Sequence, residues 1–559
     1  MKRKTIKKML GAAFCLSAVM GSASVQAEEG LELDVVITVQ DIDNDPSIAG
    51  GDQDSTYMWH TFEGLTKIGR TDALAGDNPN EYLGEVVLGQ AASYEYDEAT
   101  MTYTFVLRDD IFWNDGEPVT AQDFVYSWRR LVDPATASPV ANMLNGIVLN
   151  AEEVTAGEKD PSELGITAID DKTLEIKMAN PCSYFLELLT QKNLVPLRQD
   201  NVESGADWSE AGNLLSNGPY YYSEGVHDSY LEVVKNENYY DADTITVDKI
   251  TFHIAGDDTS ILSAYQSGEY DFIGTVAADQ IETLQASGDA FVNPTLGMTY
   301  CYLNVDKMTD WRVRAAMLLA IDRENICENI RQDGSLPAIG LIPSGYTTSD
   351  NVSWDEFAGE PMYAWLAEQY PDADLESYIG RCELAQQLYA EAVADGAWDE
   401  NTTMSYWYNN TEVNKAMGEA IQSDITSVLG ANMILETCDS ATYCDTICKG
   451  NYHLARLGQG GDYSDPFYYF TCFGTNGDWE FSGWSNEEWD AMYKQIQSME
   501  AGAERDELIK EAEAFMFTDQ GFSVAPIFYS VKVYCAKSDL QNLVFYPINT
   551  RTFFGYVTR

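Results

Sequence analysis

The residues best suited to bind a small charged ligand lie in one stretch, residues 454–466. An apolar, strand-like run stops at glycines and is followed by Asp462, Tyr463 and a proline turn. Arg456 could meet a ligand's anion and Asp462 its cation through charge-assisted hydrogen bonds. A short peptide carries both charges. The alternative is a surface turn in which Asp462 only caps neighbouring backbone.

Residue types that commonly carry catalysis or bind metal form no recognisable pattern. The four histidines, His60, His227, His253 and His453, lack metal-ligand spacing, which favours packed or exposed side chains. The sequence contains no GxSxG, HExxH, phosphate-loop or dinucleotide motif. Because 90 acidic residues guarantee chance carboxylate pairs, a glycosidase-like dyad stays open. We therefore expect a binding protein without cofactor or metal, and not an enzyme.

The cysteines allow two interpretations. Cys438, Cys444 and Cys448 form the only cluster, and this spacing could hold a metal or an iron–sulfur cluster. No CxxC pair occurs, and buried cysteine often behaves as a small apolar residue. We therefore expect these side chains to pack in the core.

The N-terminus has the pattern of a secretory signal over residues 1–27. Basic residues from Lys2 to Lys8 precede an apolar run, Met9 to Met20, that is short for a membrane span. Val25-Gln26-Ala27 then matches a small-x-small cleavage site. Cys15 raises the alternative of lipid attachment, but it lies inside the apolar run after bulky Phe14. We expect an exported bacterial protein, periplasmic or associated with the cell surface.

Composition limits the partners. Removing the signal leaves 28 basic against 90 acidic residues, a formal charge of −62. Such a surface repels phosphate backbones, so nucleic acid is excluded as a partner, and it does not favour an anionic membrane. The 559 residues exceed one core, so we expect two or three domains.

Strands alternate with helices along the chain, which predicts an α/β fold in more than one lobe. A helix opens at Thr120, where Asp123 completes a capping box, and ends before Pro134. Other predicted strands are 31–39, 101–108, 174–178, 195–197, 231–234, 250–254 and 300–305, and other predicted helices are 56–63, 260–267, 310–321, 381–395, 411–428 and 499–517.

An ordered series of motifs resembles the solute-binding proteins of ABC importers, in particular the oligopeptide-binding family (extracellular solute-binding protein family 5). The series covers nearly the whole mature chain: Asp45-Pro46-Ser47, Phe62-Glu63-Gly64-Leu65, Tyr103 to Arg108, Trp113-Asn114-Asp115-Gly116, Val119 to Arg130, Val132 to Pro139, Asn217-Gly218-Pro219-Tyr220, Arg312-Val313-Arg314, Ile321-Asp322-Arg323, Tyr408-Asn409-Asn410-Thr411, Asp462-Tyr463 and Ala525-Pro526-Ile527.

The resemblance implies a two-lobed, type II periplasmic-binding-protein clamshell with an additional inserted domain. Lobe I would comprise residues 28–60, 197–296 and 529–559, the inserted domain 61–196, and lobe II 297–528. The implied function is an extracytoplasmic receptor, expected to be a monomer, that captures oligopeptides and delivers them to ABC transporter permease subunits.

The resemblance also implies a ligand site between the lobes. Asp462 would pair with the ligand's α-amino group and Arg456 with its carboxylate, and backbone near Gly51 and Gly458 would pair with an extended ligand. The remaining candidate ligand-binding residues are Asp52, Gln459, Asn414, Tyr408 and Tyr302.

The chain departs from the family pattern within this site. Gln459 stands where a tryptophan is common, Val140 where a tyrosine is expected, Asn414 where a histidine can occur and Ile447 where a second arginine can occur. These changes alter pocket size and charge, which keeps an oligosaccharide or nickel-chelate receptor of the same fold as an alternative. A secreted hydrolase with an acidic pair is the alternative from another class.

Overall fold

The computed structural model of the protein describes residues 30–38, 42–255, 257–475, 477 and 480–559, so the expected signal segment lies outside the described residues. The strands are β1 (Leu31–Thr38), β2 (Thr66–Leu74), β3 (Glu81–Leu88), β4 (Ala91–Asp97), β5 (Thr102–Leu107), β6 (Ile166–Ala168), β7 (Thr173–Lys177), β8 (Tyr220–Val226), β9 (Tyr230–Lys235), β10 (Val247–Ile254), β11 (Phe272–Ile273), β12 (Ala290–Leu303), β13 (Leu336–Pro337), β14 (Thr403–Asn409), β15 (Asn432–Cys438), β16 (Leu454–Gln459), β17 (Val524–Ala536), β18 (Leu543–Tyr546) and β19 (Arg551–Phe553).

Helices lie between most of these strands. They are α1 (Asp52–Thr61), α2 (Ala121–Val132), α3 (Ala151–Thr155), α4 (Phe185–Leu188), α5 (Gln199–Val202), α6 (Asp258–Ser267), α7 (Ala278–Ser287), α8 (Trp311–Ala320), α9 (Arg323–Asn325), α10 (Trp354–Ala358), α11 (Pro361–Gln369), α12 (Tyr378–Ala394), α13 (Glu412–Leu429), α14 (Ser440–Ile447), α15 (Glu487–Gln497) and α16 (Ala503–Phe515). A π-helical segment, Ile326–Arg331, continues α9.

One large sheet runs through the protein, and two small sheets flank it. Its 11 strands have the order β15-β14-β16-β12-β17-β11-β1-β10-β9-β8, with β13 paired to β17. The four-stranded sheets have the orders β19-β18-β3-β2 and β4-β5-β7-β6. Parallel and antiparallel pairs occur together in the large sheet, as in β1 with β10 and β12 with β17.

The antiparallel strands β12 and β17 connect the two halves of the large sheet. Their register shifts between the pairs Pro294–Val531 and Met298–Tyr529, so that residues 295–297 face only Ser530. An irregularity of this kind bends and twists a strand pair. The long strands are therefore continuous, yet they have a built-in bend at one point.

Two large hydrophobic cores lie on either side of this bend. One contains Tyr300, Leu319 and Phe467, drawn mainly from residues 296–529. The other contains Val35 and Trp128, drawn mainly from residues 33–252 and 534–557. β17 and β18 contribute residues to both cores. Strands and helices pack together in each core, which confirms the α/β architecture with more than one core.

Local signals in the sequence explain several element boundaries. The Thr120 backbone N–H donates to Asp123 Oδ2 at 2.8 Å, which confirms the predicted capping box at the start of α2. The strand predicted at 195–197 is wrong. In α2, the Ser127 hydroxyl donates to the Val195 carbonyl and the Trp128 indole N–H donates to the Leu194 carbonyl. These side-chain hydrogen bonds take the place of backbone bonds to a neighbouring strand.

The expectation of core packing for the cysteine cluster is only partly correct. Cys438 and Cys444 are half-buried and pack against the Tyr300 core, whereas Cys448 is exposed. Within the described ranges, no group of three or more His, Cys, Asp or Glu side chains is arranged to hold a metal ion.

None of the helices described in the structure combines the length and the apolar character that crossing a bilayer requires.

His60 is a fully buried residue at the end of α1. Its Nδ1 donates to the Thr56 carbonyl at 2.7 Å, and its Nε2 accepts from the Phe554 N–H at 2.9 Å. Phe553 stacks on the ring at 4.7 Å. A second proton on Nε2 would oppose the Phe554 N–H, and burial lowers the pKa of His60 to about 3. The imidazole is therefore held neutral.

This neutral imidazole gives stability a measurable pH dependence. Below its unfolded pKa of 6.5, His60 binds a proton in the unfolded chain but not in the folded one, so stability falls as pH decreases toward 3. Between pH 7.5 and 4.5 we expect the wild type to lose about 2.5 kcal/mol more unfolding free energy than His60→Gln. Urea unfolding at both pH values measures this. Equal losses in the two proteins would contradict the neutral assignment.

Candidate ligand-binding site

A cavity of about 850 Å³ lies between residues of the two cores, a volume suited to a small-molecule or short-peptide ligand. The end of β16, the loop that follows it and the 3-10 helix Pro466–Cys472 form one wall. Segments 139–147 and 181–193 form the opposite wall. The site is therefore assembled from parts of the chain that are about 280 residues apart.

The structure brings three of the predicted site residues together on this wall. Gly458, Gln459 and Asp462 all line the cavity. Gly458 and Gln459 lie in β16, and Asp462 lies in the loop after it. Asp462 is exposed toward the cavity, as a carboxylate that meets a ligand's cation must be.

Tertiary contacts hold the backbone of the Asp462 loop. The Gly461 N–H donates to the Leu296 carbonyl at 3.1 Å, and the Tyr346 hydroxyl donates to the Tyr463 carbonyl at 3.2 Å. The Gln191 amide donates to the Asp462 carbonyl at 2.7 Å. The loop is therefore anchored on both sides of the carboxylate.

Among the described strands, the outer edge of β16 has no partner beyond its first two residues, and the Arg456 carbonyl accepts from the Tyr443 hydroxyl at 2.7 Å. Along one side, residues 454–459 pair with β12. On the other side, β14 pairs only with Leu454 and Ala455. Among the described strands, none covers the β16 edge next to Gly458, so its backbone can accept an added strand from a ligand.

Gln459 belongs to a polar network inside the aromatic wall. Its Oε1 accepts from the Tyr300 hydroxyl at 3.1 Å, and that hydroxyl lies 3.2 Å from the Tyr302 hydroxyl. Its Nε2 donates to Cys472 Sγ and, at 3.4 Å, to the Tyr468 hydroxyl. These hydrogen bonds fix the Gln459 amide within the aromatic wall.

The described cavity wall does not include Arg456. Its guanidinium donates to Asn409 Oδ1 at 3.2 Å and Thr299 Oγ1 at 3.4 Å, and its buried Nε has no partner among the described atoms. Burial lowers the pKa of Arg456. No carboxylate among the described residues pairs with this guanidinium, so it can meet an anion, but its contact with a ligand carboxylate stays a prediction.

Four other candidates also lie off the described cavity wall. Tyr302, Tyr408 and Asn414 are buried, and the Asn414 amide donates to Asn409 Oδ1 at 2.9 Å. The Gly51 N–H donates to Asp54 Oδ2 at 2.9 Å at the start of α1, so this donor is already used. Its neighbour Gly50 lines the cavity. Ligand contacts by these four residues stay predictions.

Asp52 starts α1, but its side chain lies outside the described residues.

The charges around the cavity favour a cationic group over an anionic one. The acids on its wall are Glu152, Asp462 and Asp490. Of the two bases on the wall, Arg505 pairs with Asp465 at 2.8 Å. The other, Lys192, donates to the Ser55 hydroxyl at 3.0 Å. The wall thus carries three carboxylates against two cations, a balance that favours an amine over an anion.

Much of the wall was not predicted from the sequence. It is aromatic, and its rings come from Tyr184, Tyr463, Phe467, Tyr468, Phe473, Trp489 and Tyr493. Two further positions were noted in the sequence because they depart from the family pattern, Val140 and Ile447. Val140 lines the cavity, whereas Ile447 is buried in the core. The one local signal for the rest is the density of aromatics between residues 463 and 473.

A family profile described as "Bacterial extracellular solute-binding proteins, family 5 Middle" matches residues 85–481, well over half of the chain. The chain belongs to the family 5 bacterial extracellular solute-binding proteins. The fold is similar to that of the Haemophilus influenzae oligopeptide-binding protein OppA, whose structure was solved in complex with the peptide RPPGFSPFR. The two chains superpose with a TM-score of 0.75 and are 25% identical in sequence. The superposition covers 94% of this chain and 99% of that one. The predicted type II α/β fold is confirmed.

Curated relatives match over most of their length. The family 5 protein is 30% identical over 512 residues to the periplasmic murein peptide-binding protein MppA of Escherichia coli (strain K12), covering 90% of this chain and 88% of the relative. It is 29% identical over 487 residues to the periplasmic oligopeptide-binding protein OppA of the same organism, covering 86% of each. The family assignment from the motif series is confirmed.

Proposed function

We propose that this family 5 protein is an exported, non-catalytic receptor that captures short peptides and delivers them to the permease of an ABC importer. The observation that carries the proposal is the position of Asp462, which lines the cavity just past the open edge of β16. An extended peptide can add to that edge through its backbone while its α-amino group meets the carboxylate. The relatives named for oligopeptides and murein peptides support this reading.

The cavity chemistry supports a ligand recognised mainly by its backbone and its amine. Backbone pairing gives affinity without reading side chains, and the aromatic wall offers apolar surface to many of them. Because both wall cations are already bonded, the ligand's carboxylate would have to find another donor. Arg456, which the sequence predicts to meet the ligand's carboxylate, can be this donor if the ligand extends past Gly458.

The domain division is part of the proposal. Lobe I would comprise residues 28–60, 197–296 and 529–559, the inserted domain 61–196, and lobe II 297–528. The register shift of β12 and β17 at residues 295–297 and 530 lies at two of these boundaries. The separation of the two large cores supports the boundary of lobe II, whereas one core contains residues of both lobe I and the inserted domain. Bending at the shift would close the lobes, and a ligand that touches both walls would stabilise the closed population.

The ligand that co-purifies with residues 28–559 tests the proposal. We expect native mass spectrometry to show a mixture of small peptide masses, since backbone recognition tolerates many sequences. Incubation of the purified protein with the released peptides should leave them intact. A single sugar mass would favour the oligosaccharide alternative, which the aromatic wall also suits, and cleavage products would favour the hydrolase.

A further inference from the structure

Two segments from opposite walls of the cavity are joined directly. They are residues 183–191, which contain α4, and residues 462–465, in the loop that carries Asp462. Ser464 donates to Glu187 Oε2 from its N–H at 2.7 Å and from its hydroxyl at 2.6 Å. The Ser183 hydroxyl donates to Asp465 Oδ2 at 2.6 Å, and Gln191 donates to the Asp462 carbonyl at 2.7 Å. We call this set of contacts the clamp.

An aromatic pair lies at the centre of the clamp. The rings of Tyr184 and Tyr463 are stacked with centroids 3.6 Å apart and an interplanar angle of 2°. Tyr463 is buried and Tyr184 is half-buried. Stacked aromatic pairs stabilise contacts beyond their buried area. Both rings also line the cavity, so the clamp lies directly beside the ligand space.

The clamp connects the two large cores. Phe185 and Leu188, on the Tyr184 side, belong to the core that contains Trp128. Tyr463 and Phe467 belong to the core that contains Tyr300. Tyr184 packs against both cores. If the cores separate by bending at β12 and β17, the clamp contacts must break.

Residues on the Tyr184 side are fixed by their own neighbours. The Tyr546 hydroxyl donates to Glu187 Oε1, so that Oε2 faces Ser464. The Asn549 amide donates to Gln191 Oε1 at 2.9 Å, which leaves the Gln191 Nε2 for Asp462. Tyr546 belongs to the core that contains Tyr300, so Glu187 is held in a bonding geometry by residues of that core as well.

We infer that Tyr184, Glu187 and Gln191 are positioning residues that hold the Asp462 loop in place and set how long a ligand stays bound. Gln191 and Glu187 bond the backbone of Asp462 and Ser464, and the Tyr184 ring stacks on Tyr463. Release requires the cavity walls to part, so each clamp contact adds to the barrier for dissociation. This inference rests on the proposed peptide-binding function.

Peptide dissociation kinetics with Tyr184 variants test the inference. For Tyr184→Ala we expect a dissociation rate about tenfold faster than wild type, with an association rate changed by less than about threefold. Tyr184→Phe retains the stacked ring and should restore the wild-type rate. Tyr94→Ala, which removes an exposed tyrosine on β4, serves as the matched control and should change neither rate.

A second measurement does not require a ligand. Small-angle scattering of the ligand-free proteins should give a larger radius of gyration for Tyr184→Ala and Glu187→Gln than for wild type and Tyr184→Phe. If wild type binds no peptide, the proposed function fails, and the scattering comparison alone decides on the clamp. Folded Tyr184→Ala and Glu187→Gln proteins with wild-type radii would overturn the inference, as would unchanged dissociation rates.

Discussion

Replacing Asp462 by asparagine should weaken the binding of a free-amine peptide by about 1.5 to 3 kcal/mol, or roughly 10- to 150-fold in Kd. The substitution keeps the size of the side chain and its ability to accept a hydrogen bond but removes its charge. The other wall carboxylates, Glu152 and Asp490, come from different segments. Isothermal titration of both proteins with one peptide measures the change.

An N-acetylated form of the same peptide separates the amine contact from a general loss of fit. Wild type should bind it more weakly than the free-amine form, and Asp462→Asn should bind the two forms with similar affinity. The non-additivity of these two changes measures the coupling between carboxylate and amine. Glu152→Gln is the matched control, since it removes a different acid from the same wall. An equal loss for both peptide forms would falsify the amine-anchor role.

The sequence was most informative where function depends on neighbours along the chain. The pattern of a strand that ends in glycines and is followed by an acid predicted β16 and the Asp462 loop. The motif series identified the family. The capping box at Thr120 and Asp123 is equally local. Such features need only a few consecutive residues, so composition and spacing reveal them.

Contacts across the fold could not be predicted in the same way. Tyr184 and Tyr463 stack although 278 residues separate them, and neither position has a local signal for that contact. Arg456 and Gln459 lie in one strand, three residues apart, and therefore point to opposite faces of the sheet. Only the packing of the sheet decides that Gln459 lines the cavity and Arg456 does not.

Polar residues that appear interchangeable in the sequence also acquire different roles through burial. Asp462 and Asp465 belong to the same loop, but Asp462 is exposed to the cavity whereas Asp465 is buried. Arg505 donates to Asp465 at 2.8 and 3.1 Å, and the Phe467 N–H donates to it at 2.9 Å. One acid thus faces the cavity, and the other stabilises the loop.

Replacing Arg505 by methionine should therefore lower the free energy of unfolding strongly. Its effect on the geometry of the ligand-binding wall should be small by comparison. The substitution leaves Asp465 buried without its cation, which typically costs about 3 to 5 kcal/mol. The Arg505 and Asp465 side chains are only 6% and 7% exposed, so water cannot readily replace the missing partner. Denaturant unfolding followed by tryptophan fluorescence measures the loss.

The double variant Asp465→Asn, Arg505→Met distinguishes loss of the cation from loss of packing. Removing both charges eliminates the uncompensated carboxylate, and asparagine can still accept from the Phe467 N–H. The double variant should therefore recover a large part of the stability lost by Arg505→Met, because replacing both members of a buried pair is often close to neutral. Exposed pairs contribute little, so Arg108→Met, which breaks the pair with Asp110, should change stability by less than about 1 kcal/mol. If the double variant were as unstable as Arg505→Met, the contribution of Arg505 would come from its packing on Phe467 and not from its charge.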